Sequence, residues 1–116
     1  MLKLKKRTKA LRFSHETIEK IKARDGECVF CQIEYKMPIN VDEMCLIHDI
    51  MHVVPKSRGG LGIEQNGVLG CRFHHHLLDN GNKGLRPEML EIIESYMRRH
   101  YPDWNKEDLI YQKDKL

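Results

Sequence analysis

Apolar and polar positions along the chain alternate in two different periods. Ile18 and Ile21, extended by Ala23, give two turns of an apolar helical face; Ser14 can cap it and Asp25-Gly26 can end it, which predicts a short helix over residues 15 to 24. Residues 32 to 44 hold Pro38 and Asn40 and show no clean period, so they read as loop with room for an edge strand. From Cys45 to Val54 aliphatic and β-branched residues predict a strand that Pro55 stops. Gly59, Gly60 and Gly62 mark a long turn, and Val68-Leu69 a second short strand. A helix follows from Arg72 or Phe73 to about Asn80, with Gly81 and Gly84 as breaks.

Pro87 suits the first position of another helix, with Leu90, Ile93 and Met97 as one stripe and Met89, Ile92 and Tyr96 widening it. Such a stripe packs a core. Pro102 breaks that helix, Asp103 can cap a last turn, and Trp104, Leu109, Ile110 and Tyr111 fold back on the body. The helices and few strands make the fold class α+β, in one domain over 14–116 behind a basic arm over 1–13; the C-terminal helical region covers 85–116.

Composition adds a constraint. A chain of 116 residues with 7% aromatic and 32% charged residues has a thin apolar core, and a bound metal would tie it. The opening residues lack the apolar run of a secretory signal, and nothing reaches the length of a membrane span, so a reducing, cytoplasmic setting without a membrane partner is expected. In that setting the four cysteines favour metal or redox chemistry over disulfides.

Cys28-x-x-Cys31 and Cys71-x-x-His74 are two knuckles that together supply four ligands for a closed tetrahedral zinc site. A redox pair would need a strand-to-helix unit before Cys28, which the sequence lacks. Cys45 is the rival fourth ligand, but its apolar strand suits a small buried hydrophobe.

Net charge is +3, yet Lys3, Lys5, Lys6, Arg7, Lys9 and Arg12 crowd the first thirteen positions with no acid, which leaves −3 for the remainder. A basic arm on a nearly neutral body is the electrostatic mark of a nucleic-acid partner; the plainer alternative is a solvated tail.

His75 and Asp79 lie four apart on one helix, so they share a face and can chelate one divalent ion. His52 comes from the neighbouring strand and can accept a proton from water near neutral pH. Lys56 and Arg58 beside it can grip phosphate, or serve only solubility. His76 turns about 100° away from His75. His48 shares strand parity with His52 and could orient it.

From Cys28 to Asp79 the chain resembles the zinc-containing HNH endonucleases. Met51-His52-Val-Val-Pro55, Gly59-Gly60, Asn66, Cys71-x-x-His74, His75 and Asp79 stand in the family's order. The resemblance implies a ββα-metal (His-Me finger) core over about 45–81, with His52, Asn66, His75 and Asp79 as catalytic residues. It also implies a structural Zn²⁺, a catalytic Mg²⁺, Mn²⁺ or Ni²⁺, and hydrolysis of double-stranded DNA to a 5′-phosphate and a 3′-hydroxyl. It is closest to small phage and bacterial members, which implies phage packaging or recombination proteins as partners.

One position departs from that pattern. The family has Asp, Glu or His before the base, and here stands Met51, a poor ligand for a hard ion. Asp49, on the same side of the strand, is the substitute ligand, reaching the ion directly, through water or after a bulge; otherwise water or a softer metal completes the site. The alternative function is a zinc-stabilised DNA-binding or adaptor module with a decayed catalytic site.

Overall fold

The computed structural model describes residues 6–80 and 84–112, so Lys3, Lys5 and the Gly81 break lie outside the described residues. Five helices and one two-stranded antiparallel sheet are present among them: α1 (Lys6–Leu11), α2 (His15–Asp25), α3 (Val29–Gln32), β1 (His48–His52), β2 (Gly67–Cys71), α4 (Arg72–Asn80) and α5 (Arg86–His100). Mixed helix and sheet agree with the α+β expectation.

Local chemistry sets the helix limits. Ser14 caps α2, its Oγ accepting from the Thr17 N–H at 3.1 Å, and Gly26 at φ 75° returns its own N–H to the Lys22 carbonyl at 2.8 Å. Pro87 sits in the first turn of α5, and Arg98, Arg99 and His100 in its last turn oppose the dipole. The buried line of α5 is Met89, Ile93 and Met97, while Leu90 is only half buried.

β1 and β2 pair in the register His48↔Cys71 to His52↔Gly67. β2 is buried along its whole length, covered by α2, α3 and α4. Met51 packs against Gly70: a Cβ there would come 2.3 Å from Met51 Cε, so a side chain at position 70 would force the methionine to shift. Phe30, Leu78, Trp104 and Leu109 complete that core.

The structure corrects several expectations. The strand is shorter than 45–54, because Glu43–Cys45 forms a 3-10 turn capped by Asp42 and Leu46 is 74% exposed. Cys45 is therefore half-exposed in a turn and not buried in a strand. Residues 32–44 contain no strand. The knuckle at Cys28 is one turn of helix. Ala23 is exposed, and the buried residue that follows Ile21 on α2 is Asp25. The last turn, Lys106–Leu109, is capped by Asn105 rather than Asp103, and Ile110 stays 38% exposed.

Asp25 is the largest addition to the sequence reading. Its side chain is fully buried, gripped by Arg24 through Nε at 2.7 Å and Nη2 at 3.0 Å, by the Leu69 N–H at 2.8 Å and by the Tyr96 hydroxyl at 2.5 Å. Arg24 also donates to the carbonyls of Glu64 and Gly67 at 2.8 and 2.6 Å. One ion pair thus joins α2 to β2, α5 and the turn before β2. Although burial opposes its charge, the bonds to Asp25 and Tyr101 outweigh this and raise the Arg24 pKa further.

The basic segment begins as structure. From Lys6 it forms α1, whose Leu11 is buried and whose Ala10 carbonyl accepts from the Gly62 N–H at 2.9 Å.

Candidate functional site

Two groups of ligating side chains meet on α4. The first is Cys28, Cys31, Cys71 and His74, whose ligand atoms all lie within 4.8 Å of one another and could hold a metal ion such as zinc. Cys31 Sγ is 3.8 Å from Cys71 Sγ, and His74 Nδ1 is 3.6, 3.6 and 3.3 Å from the sulfurs of Cys28, Cys31 and Cys71. Zinc bonds of about 2.3 Å to sulfur and about 2.0 Å to nitrogen set tetrahedral edges of about 3.5–3.8 Å. The donors therefore fit that ion, and the sulfur separation is no disulfide. Cys45 lies outside the group.

The surroundings prepare the ligands. His74 Nε2 faces the Tyr35 carbonyl at 2.5 Å, which fixes the proton there and leaves Nδ1 free for an ion. Burial opposes ionisation of Cys28, but His74 and the backbone of Cys71, Cys31 and Phe30 outweigh it and bring its thiol down to about 6. Burial, and then the neighbouring sulfurs, push Cys31 up; burial is also the main cause that raises Cys71. Three crowded thiols resist losing their protons together unless a cation joins them.

The second group is centred on His75. Its Nδ1 lies 3.0 Å from Asp49 Oδ2 on β1, and its Nε2 lies 2.9 Å from Asp79 Oδ2 one turn along α4. Each carboxylate also meets an arginine: Arg72 Nη2 is 3.0 Å from Asp49 Oδ1, and Arg86 Nη1 is 3.6 Å from Asp79 Oδ1. The hydrogen bond from Arg72 is the main cause that lowers the Asp49 pKa. His48 and the exposed His76 line the same open cavity as Asp49, Arg72, His75 and Asp79, against Ile18 and Lys22 of α2.

Of the routes the sequence left open for Asp49, the structure shows its carboxylate on His75 rather than beside Asp79. The carboxylates of Asp49 and Asp79 occupy opposite nitrogens of one imidazole, so the three side chains do not converge on a point. The 2.9 Å between His75 Nε2 and Asp79 Oδ2 is the separation of a direct side-chain contact, on the face of α4 that the sequence assigned to a divalent ion. Met51, fully buried, belongs to the core.

His52 ends β1. Its Nε2 is buried without a hydrogen-bond partner, and the Phe13 ring packs against the imidazole at a centroid distance of 4.4 Å. Burial is the main cause that lowers its pKa; the Leu11 backbone opposes this, Lys56 adds to it, and the charges of Asp79 and His75 reach the ring with opposite signs. Asn66, fully buried, accepts from the Val54 N–H at 2.8 Å and donates to the carbonyls of Val54 and Leu61 at 3.1 and 2.8 Å. Lys56 and Arg58 form an exposed 3-10 turn directly after this segment. Gly60 makes the turn compact, since a Cβ there would lie 1.8 Å from the Val54 carbonyl oxygen.

Sequence reasoning missed Phe13, Tyr35, Arg72 and Arg86. Nothing in their spacing signals a part in either group; each acts across the fold. No helix among the described residues is long and apolar enough to cross a membrane. No protein-family model, curated protein or solved structure matches the chain.

Proposed function

We propose that this protein is a metal-dependent endonuclease of the HNH type that hydrolyses phosphodiester bonds in DNA, by nicking or double-strand cleavage, on a ββα-metal core tied by a structural zinc. One observation carries this reading: the helix histidine His75 stands between a strand carboxylate and a carboxylate of its own helix, within electrostatic reach of the strand histidine His52.

Each residue has a distinct task in this mechanism. His52 is the general base: its lowered pKa keeps the ring neutral, and its unpartnered Nε2 is free to take a proton from the attacking water once Phe13 moves aside. His75 Nε2 and Asp79 would hold the divalent ion, Mg²⁺, Mn²⁺ or Ni²⁺, which supplies charge neutralisation at the phosphorane and the leaving 3′ oxygen. Asp49 accepts a hydrogen bond from the Nδ1–H of His75, so it fixes the tautomer and aims Nε2. Asn66 holds the Val54 backbone two residues beyond the base, and so holds the base. Lys56 and Arg58 bind the phosphate backbone, which positions DNA without reading its sequence.

The decisive experiment is incubation of the purified protein with supercoiled plasmid and each of the three ions, beside a His52→Ala control. Cleavage by the wild type and none by the control is expected. The burial of His52 Nε2 favours a second reading, a zinc-stabilised DNA-binding or adaptor module, and absence of cleavage with every ion would count for that one.

A further inference from the structure

We propose that a groove on the far side of Asp79 is the track for the phosphodiester backbone of one DNA strand leading away from the scissile bond. The inference rests on the endonuclease reading and adds Arg86 and Lys106, which lie outside the stretch that resembles any nuclease.

The groove encloses about 510 Å³ between the Val53–Pro55 segment, the start of α5 and the Lys106–Leu109 turn. Its apolar floor is Val54, Pro55, Leu90 and Ile110, and its polar rim is Arg58, Arg86 and Lys106, with Asp79 at one end. Asp79 therefore faces two cavities, the one shared with Asp49 and His75 and this one. A strand whose reacting phosphate sits at Asp79 has its neighbouring nucleotides directed into this channel.

The charges fit that occupant. Arg58 makes no ion pair among the described residues, and α1 brings Arg7 beside Gly59, its Nη2 3.8 Å from where a Cβ would stand. Ile110 Cγ2 is 3.5 Å from the same point, so Arg7 extends the basic rim past the end of the floor. Two acids meet these cations: Asp79 lies 3.6 Å from Arg86, and Glu94 lies 3.0 Å from Lys106 and 3.5 Å from Arg98, so each is paired with an arginine or lysine while Arg58 and Arg7 add further positive charge. Arginine forks on an open rim match phosphate oxygens, while an apolar floor accepts deoxyribose without demanding a sequence. A compact anion would meet one of these cations at a time; a repeating polyanion can meet Arg58, Arg86 and Lys106 together.

The test measures duplex binding by the full-length, zinc-loaded protein without added divalent ion, over a range of salt, for wild type, Arg58→Gln/Lys106→Gln and Lys106→Glu. Melting temperatures confirm that the variants are folded. Loss of two phosphate contacts is expected to make the log–log salt slope shallower by about 1.8, with Lys106→Glu binding more weakly than wild type at low salt. If wild type cuts plasmid but the folded double variant keeps the wild-type slope and affinity, the track is overturned and the nuclease stands. If wild type neither binds duplex nor cuts plasmid with any of the three ions, both proposals fall.

Discussion

Asn66 and Val54 are joined by two hydrogen bonds that use both backbone groups of Val54, the N–H at 2.8 Å and the carbonyl at 3.1 Å. A side-chain amide thus does for the end of β1 what a third strand would do. Asn66→Ala leaves the buried Val54 N–H and the carbonyls of Val54 and Leu61 without partners. Urea unfolding is expected to show a loss of about 2–4 kcal/mol. Asn66→Asp keeps the acceptor and loses the donors, so it too should be clearly destabilised.

The four-ligand group should make folding depend on metal. Metal analysis is expected to find one tightly held zinc per chain, and strong chelation should abolish the near-UV signal and the cooperative melt. Cys71→Ser should behave like the chelated protein. A chelated sample that melts as before would remove the metal from the folding argument.

His52 gives a pH signature. Its pKa lies below 6.5 in the folded protein, so below that pH the unfolded chain takes up the proton first. By linkage, this histidine subtracts stability as pH falls from about 6.5 through its own lowered pKa, and is neutral in effect above that window. NMR titration of the ring should find a midpoint below 6.5, and Phe13→Ala, which uncovers the imidazole, should move the midpoint upward. A midpoint that did not respond would mean that something other than the phenyl ring keeps solvent away.

Asp25 tests the buried pair. Asp25→Ala strands Arg24 with its remaining partners and should cost about 3–5 kcal/mol. Tyr96→Phe removes one bond to the carboxylate and should cost roughly 2 kcal/mol. In a double-mutant cycle the second loss should nearly vanish on the Asp25→Ala background. Full additivity would contradict the contact.

The ends of α2, the position of β2 and the helices α4 and α5 were legible because caps, prolines and a 3.6-residue period are local signals. So were the four ligands of the first group, since x-x spacing is itself a geometric statement. The start of β1 was not, because Leu46 and Ile47 carry the composition of a strand while remaining exposed in a turn. Asp25 was illegible for another reason. As the last residue of a helix it reads as a stop, and only Leu69 and Tyr96, forty-four and seventy-one positions away, turn it into a buried anchor. α1 hides behind its lysines and arginines, with Leu11 its only buried residue. Strand parity placed Asp49 on the side of β1 shared with Met51, but parity says nothing about which nitrogen of His75 it will meet.

His74 and His75 are consecutive on α4, one turned inward to the sulfurs and the other outward to the carboxylates. A single peptide unit therefore couples the group that could take zinc to the surface where chemistry is proposed. Starving the cell of that ion would leave the outer imidazole without a bearing, so whatever His75 does at the surface would stand or fall with the supply of the inner metal.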